Sequence, residues 1–131
     1  MDILPPTKIK IISIRGKGRG VIATQDIFSG EIIEYCPIIF LSDIEVDFLD
    51  NKSDILKFYY LLQPEANRHI LIMGYGSMYN HSKDANAEID YDIKKSQNFI
   101  FFRALKVIKA GQEIVFDYNS GNKEEKFLEL K

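Results

Sequence analysis

The chain has 131 residues, 46% of them hydrophobic and 27% charged, with a net charge of −2. This length and mixture suit one soluble globular domain with its own core, and they exclude a mini-protein that needs staples. No apolar run approaches the roughly 18 residues of a membrane span, and Met1 to Pro6 lacks the basic and apolar regions of a signal peptide. The expected location is therefore intracellular, in cytoplasm or nucleus.

Cys36 is the single cysteine, so neither an internal disulfide nor a zinc cluster can form, and the residue reads as a buried small hydrophobe. With only His69 and His81 present, a histidine-rich metal site is excluded as well. Charge is uneven. Residues 1–20 carry five Lys/Arg against Asp2, and residues 26–54 carry eight acids against Lys52. No continuous basic stripe points to nucleic acid. The acidic stretch reads either as a solvated loop or as a surface that steers a basic peptide.

In chain order, residues 8–14 alternate apolar and polar, the period of a half-buried strand. Gly16, Gly18 and Gly20 interrupt that pattern, and residues 21–23 read as a second short strand. After the Ser29-Gly30 turn signal, residues 31–42 read as a longer strand rich in Ile, Tyr and Phe. Residues 54–62 predict a short helix, capped by Ser53 and stopped by Pro64. Short strands follow at 70–73 and 87–91, then an apolar strand and turn over 98–108, and a last strand over 113–118. Asn122 and Glu125 resemble a capping box for a tail helix within 119–131, which must dock Phe127, Leu128 and Leu130 to persist. The inventory is mainly β with few short helices, in one domain covering 1–131.

Three segments, in this order, carry a resemblance. They are Lys17-Gly18-Arg19-Gly20-Val21, then Tyr79-Asn80-His81-Ser82 with Asn86 trailing, then residues 111–118 ending in Phe116-Asp117-Tyr118. Together with Glu34-Tyr35 they resemble the signature motifs of the SET-domain protein-lysine methyltransferases, and the likeness spans about residues 8 to 118. The chain departs from that pattern at Cys36-Pro37-Ile38, where the family has Gly-Glu, and at Lys83 and Ala85, where it has Cys and Pro. It also lacks the cysteine-rich flanks of many relatives, and is similar to the minimal, free-standing viral and bacterial SET proteins.

The resemblance implies a fold of several small sheets with a C-terminal pseudoknot, an arrangement that periodicity could not suggest. It implies S-adenosylmethionine as the cofactor, S-adenosylhomocysteine as its product, no metal, and a lysine of a basic protein such as a histone tail as the acceptor. In the family the Gly-x-Gly turn holds the methionine end of the cofactor through main-chain atoms, which falls here on Lys17, Gly18 and Arg19. The Asn side chain and the His main chain hold the rest, which falls on Asn80 and His81. Phe127 is the expected cover for the adenine.

Tyr118 is the expected catalytic residue, also in contact with the cofactor: a positioned hydroxyl can orient the neutral amine in line for transfer. Phe116 lies two residues earlier on the same strand face. It matches a Phe/Tyr switch position, and phenylalanine there implies di- or trimethylation. Tyr35 matches an aromatic of the lysine channel, where ring faces guide an apolar stem and tolerate a methylammonium head. Some short relatives pair, which makes a homodimer one expected form. The altered strand after Tyr35 leaves one alternative open, a SET-fold module that binds a peptide or partner without catalysis. An unrelated β-barrel with chance matches would bind no cofactor.

Overall fold

The computed structural model describes residues 2–63, 68–90 and 98–118. The expected tail helix with Phe127, Leu128 and Leu130 lies outside these residues.

Nine short strands form along the described chain. β1 (Ile9–Ile14) and β2 (Gly18–Ala23) make a hairpin in which Ile9 faces Ala23 and Ile14 faces Gly18. The Lys17 N–H donates to the Ile14 carbonyl at 3.1 Å and closes the turn. β3 (Ile32–Leu41) is the long central strand. Its first half pairs antiparallel with β8 (Phe99–Ala104), Tyr35 facing Phe101. Its second half pairs with β5 (Arg68–Ile72), Ile38 facing Ile72. β4 (Tyr60–Gln63) flanks β5, and β7 (Ala87–Asp90) flanks β8.

The last described strand, β9 (Glu113–Phe116), joins the halves. It runs antiparallel to β2, and parallel to β7 and to the two-residue β6 (Asn80–His81). Asn80 faces Val115, and His81 faces Phe116. β9 thus lies beside two segments from earlier in the chain, Asn80–His81 and Ala87, the neighbours that the motifs led us to expect for it. The resulting order is β1-β2-β9-β7-β8-β3-β5-β4, with β6 on β9.

The apolar residues that drive this closure are among the most buried. Val21, Ile27, Ile70, Ile100, Phe102, Ile108 and Ile114 are shut off from solvent. β8 has neighbours on both edges, and three consecutive residues, Ile100, Phe101 and Phe102, are buried, the pattern of a strand covered on both faces.

One expectation is corrected. The helix is not at 54–62 but at Asp43–Lys52 (α1). Ser42 accepts from the Glu45 N–H at 3.2 Å while Glu45 reaches back to the Ser42 N–H at 2.9 Å, a reciprocal capping box. Ser53 ends this helix, its N–H donating to the Leu49 carbonyl, and its hydroxyl accepts the Leu56 N–H at the start of the single turn Leu56–Phe58. Tyr60 to Gln63 are drawn into pairing with β5 instead, so tertiary partners override the local pattern. Asp43, Glu45, Asp47 and Asp50 of the acidic stretch are therefore helical, with Asp43 and Glu45 in the first turn, where carboxylates complement the helix dipole. No helix of the described residues is long and apolar enough to cross a membrane.

Candidate active site

A cavity of about 700 Å³ opens where three remote stretches meet: the turn at Gly16–Arg19, the segment Asp54–Tyr59, and Gly76–His81 backed by Phe116 and Tyr118. This falls within the size range of ligand pockets, roughly 300–1,000 Å³.

The turn owes its shape to two glycines. Gly16 and Gly18 sit at φ of +82° and +83°, with open space where a Cβ would project, so the turn can bring bare main chain to the cavity. Gly20 serves a different purpose. A Cβ there would lie 2.4 Å from Ile14 Cδ1 and 2.7 Å from both Asn80 Nδ2 and Glu113 Oε2. Only a residue without a side chain lets these groups meet.

Asn80 Nδ2 donates to the Arg19 carbonyl at 2.8 Å and to Glu113 Oε2 at 2.7 Å. Lys17 Nζ reaches the other carboxylate oxygen, Oε1, at 2.6 Å. Asn86, 4% exposed, fastens the same strand. Its Nδ2 donates to the Glu113 carbonyl at 2.8 Å and its Oδ1 accepts the Val115 N–H at 2.9 Å. β9 cannot move without breaking these bonds.

Tyr118 is held from two sides. Its hydroxyl donates to the Tyr79 carbonyl at 2.7 Å, and its N–H donates to His81 Nδ1 at 3.0 Å. An accepting Nδ1 carries no proton, so the 3.8 Å approach of Asp117 to that nitrogen is a contact and not an ion pair. Burial, and then the charges of Tyr59 and Glu113, push the Tyr118 phenol up to about 12.

Tyr79 in turn donates its hydroxyl to Glu34 Oε1 at 2.7 Å, and the Tyr75 N–H donates to Oε2 at 2.9 Å. Burial raises Glu34 above the ordinary carboxylate range, although both hydrogen bonds oppose the rise. Phe116, 3% exposed, packs its ring 4.9 Å from Tyr118 and 5.2 Å from Phe102. Cys36 is buried and its thiol is pushed far up, chiefly by desolvation, so it is an inert core group as expected.

Lys17, Gly18, Arg19, Asn80, His81, Phe116 and Tyr118, all singled out in the sequence, line this one cavity. Tyr35 does not. It lies on β3 with its ring 5.7 Å from Phe99 and 5.5 Å from Phe101. Phe127 lies outside the described residues. Four partners were not foreseen in these roles: Glu113 and Asn86, which hold Asn80 and β9, and Tyr79 and Glu34 behind Tyr118. The only sequence signal for all four is their place inside the motifs. The wall made by Asp54, Ile55, Phe58 and Tyr59 carried no signal.

Comparison with known proteins identifies the family. The SET domain family profile matches residues 18–119. A Schizosaccharomyces pombe histone-lysine N-methyltransferase, H3 lysine-37 specific, is 29% identical over 84% of this chain and 72% of its own length. The Xenopus laevis N-lysine methyltransferase KMT5A-A is also 29% identical, over 88% of this chain but 37% of its own. Among solved structures, a Plasmodium falciparum candidate histone methyltransferase superposes with a TM-score of 0.65 at 29% identity, covering 86% of this chain and 93% of that one. A chain of a Chaetomium thermophilum Polycomb Repressive Complex 2 structure shares the fold, with a TM-score of 0.69 at 20% identity over 89% of this chain and 15% of that one. A profile match over most of the chain, on the strands that build the cavity, means that this protein belongs to the SET-domain family.

Proposed function

We propose that the chain transfers methyl groups from S-adenosylmethionine to the ε-amine of lysine in a basic protein, ending at di- or trimethyl-lysine. The observation that carries this reading is the joint placement of a bare main-chain turn, an asparagine amide and an anchored tyrosine hydroxyl around one cavity. The cavity fits the cofactor in size and in chemistry. Main-chain groups at Lys17 to Arg19, the Asn80 amide and the His81 main chain offer polar contacts, and Phe58, Tyr59 and Met78 offer apolar surface. When bound, the cofactor supplies a methyl group carried on a positively charged sulfonium.

The remaining work falls to the chain. Tyr118 already donates its proton to the Tyr79 carbonyl, so its oxygen lone pairs are what it offers to an incoming amine. With its pKa near 12 the phenol stays neutral at physiological pH, and acts by orienting the amine and not as a base. A free lysine amine titrates near 10.4, and an apolar wall such as Phe116 and Ile72 favours its neutral, nucleophilic form. Phe116 carries no hydroxyl to crowd a growing methylammonium, which supports products beyond monomethyl-lysine. Tyr35 stays in this reading as an aromatic of the substrate side, and Phe127 as the cover of the adenine.

The S. pombe relative acts on a histone lysine, as its name states, and a histone or similarly basic protein is the substrate class proposed here, placing the enzyme in nucleus or cytoplasm. The test is incubation with S-adenosylmethionine and core histones, followed by intact-mass and peptide mass spectrometry. Di- and trimethylated lysine should accumulate, and Phe116→Tyr should shift products towards monomethyl-lysine. An unmodified substrate set from a folded chain, across histones and other basic proteins, would defeat the reading.

A further inference from the structure

We infer that Glu113 is a positioning residue that fixes the orientation of the Asn80 amide, so that Asn80 presents its oxygen, and not its nitrogen, to a cationic group in the cavity. The two ends of an asparagine amide have nearly the same shape, and their partners decide which way it points. Here both partners of Nδ2 can only accept: the Arg19 carbonyl at 2.8 Å and the Glu113 carboxylate at 2.7 Å. Turning the amide over would set its oxygen against two other oxygens, one of them charged. Both amide hydrogens are spent inside the protein, and Oδ1 is the end left for a ligand.

Glu113 is built to hold this geometry. Its main chain is pinned on β9 by register with Ile22 and by the Asn86 amide at 2.8 Å. Its second carboxylate oxygen takes Lys17 Nζ at 2.6 Å, so one side chain ties the turn to β6. Gly20 leaves the space in which carboxylate and amide meet. An acceptor fixed in this way favours a ligand group that can only donate, and a protonated primary amine is such a group.

The inference rests on the reading that the cavity takes S-adenosylmethionine, whose methionine end carries such an ammonium. The test compares two probes by isothermal titration calorimetry on the full chain: S-adenosylhomocysteine, which has the ammonium, and methylthioadenosine, which shares the nucleoside and thioether but lacks the amino-acid end. Glu113→Gln removes the charge and can turn a donor towards Asn80, leaving the Arg19 carbonyl as the one acceptor-only partner that holds the amide.

The expected result is S-adenosylhomocysteine affinity about tenfold to a hundredfold weaker in Glu113→Gln, the scale of a lost hydrogen bond to a charged group, with methylthioadenosine binding unchanged. KM for S-adenosylmethionine should rise with kcat retained, and in an Asn80→Ala background the substitution should add no further loss. Unchanged S-adenosylhomocysteine binding, or equal loss of both probes, would overturn the role of Glu113. Wild-type chain that binds neither probe would instead sink the cofactor reading, and this inference with it. A measurement on the unmutated chain guards against a variant that fails to fold. In 15N-labelled wild type the Asn80 side-chain N–H signals should be protected from solvent exchange, free and loaded, and rapid exchange would contradict the assignment.

Discussion

Two regions, one lining the cavity and one leading into its wall at Asp54, are held together in opposite ways. Around β6 and β9 the fastening bonds join residues far apart in sequence: Asn80 to Arg19 across 61 positions, Tyr118 to Tyr79 across 39, Asn86 to Glu113 and Val115 across 27 and 29. Around α1 most bonds are local. Ser42 with Glu45, Asn51 with Asp47, and Leu56 with Ser53 are three or four positions apart. α1 buries only Val46, and leaves Ile44 82% and Phe48 62% exposed. The groups that must keep fixed positions for chemistry lie where the chain is cross-braced. The wall from Asp54 to Tyr59 follows a segment that depends mainly on itself.

The comparison is tested first where the effect should be largest. Tyr118→Phe removes the hydroxyl that is anchored on the Tyr79 carbonyl, and should lower kcat by about a hundredfold or more while leaving cofactor affinity within twofold. Steady-state methylation assays read this directly, and full activity would remove Tyr118 from the mechanism. Next in size, Asn86→Ala strips partners from two part-buried main-chain groups of β9. It should cost about 2–4 kcal/mol in urea unfolding, on the scale of about 1–3 kcal/mol for each unsatisfied group. A loss under 1 kcal/mol would show that the cross-bracing matters less than the burial around it.

Smaller still is a pH effect. The Tyr118 phenol is raised to about 12 in the folded chain against about 10 when unfolded. Between these values the folded state keeps a proton that the unfolded state has lost, so this group's contribution is intact below pH 10 and declines as pH rises towards 12. Absorbance titration of wild type against Tyr118→Phe should reveal one late-titrating phenol, and a missing phenol that titrates near 10 would contradict its burial. The smallest effect belongs to the local region. Ser42→Ala breaks the capping box and should cost about 1 kcal/mol without altering cofactor affinity.

What could be read from sequence followed the same division. Strand period and turn glycines located most of the sheet, because alternation and positive φ leave marks on consecutive residues. The Ser42–Glu45 capping box was equally local, yet Ser53 and Pro64 suggested a competing helix, and only pairing of Tyr60–Gln63 with β5 decides between them. The pairing of β6 with β9 has no periodic trace, and was reached through the resemblance of whole motifs. Burial of Glu34 beneath Tyr79, and the tie between Glu113 and Asn80, are invisible in sequence because each joins residues that only the fold makes neighbours.

The most direct test of the central claim, that this cavity is a cofactor site, is calorimetric titration of the purified chain with S-adenosylmethionine. The account predicts one-site binding with a Kd on the order of micromolar, near −8 kcal/mol, and its loss in Asn80→Ala. No heat of binding from a folded chain, or equal affinity in Asn80→Ala, would contradict it.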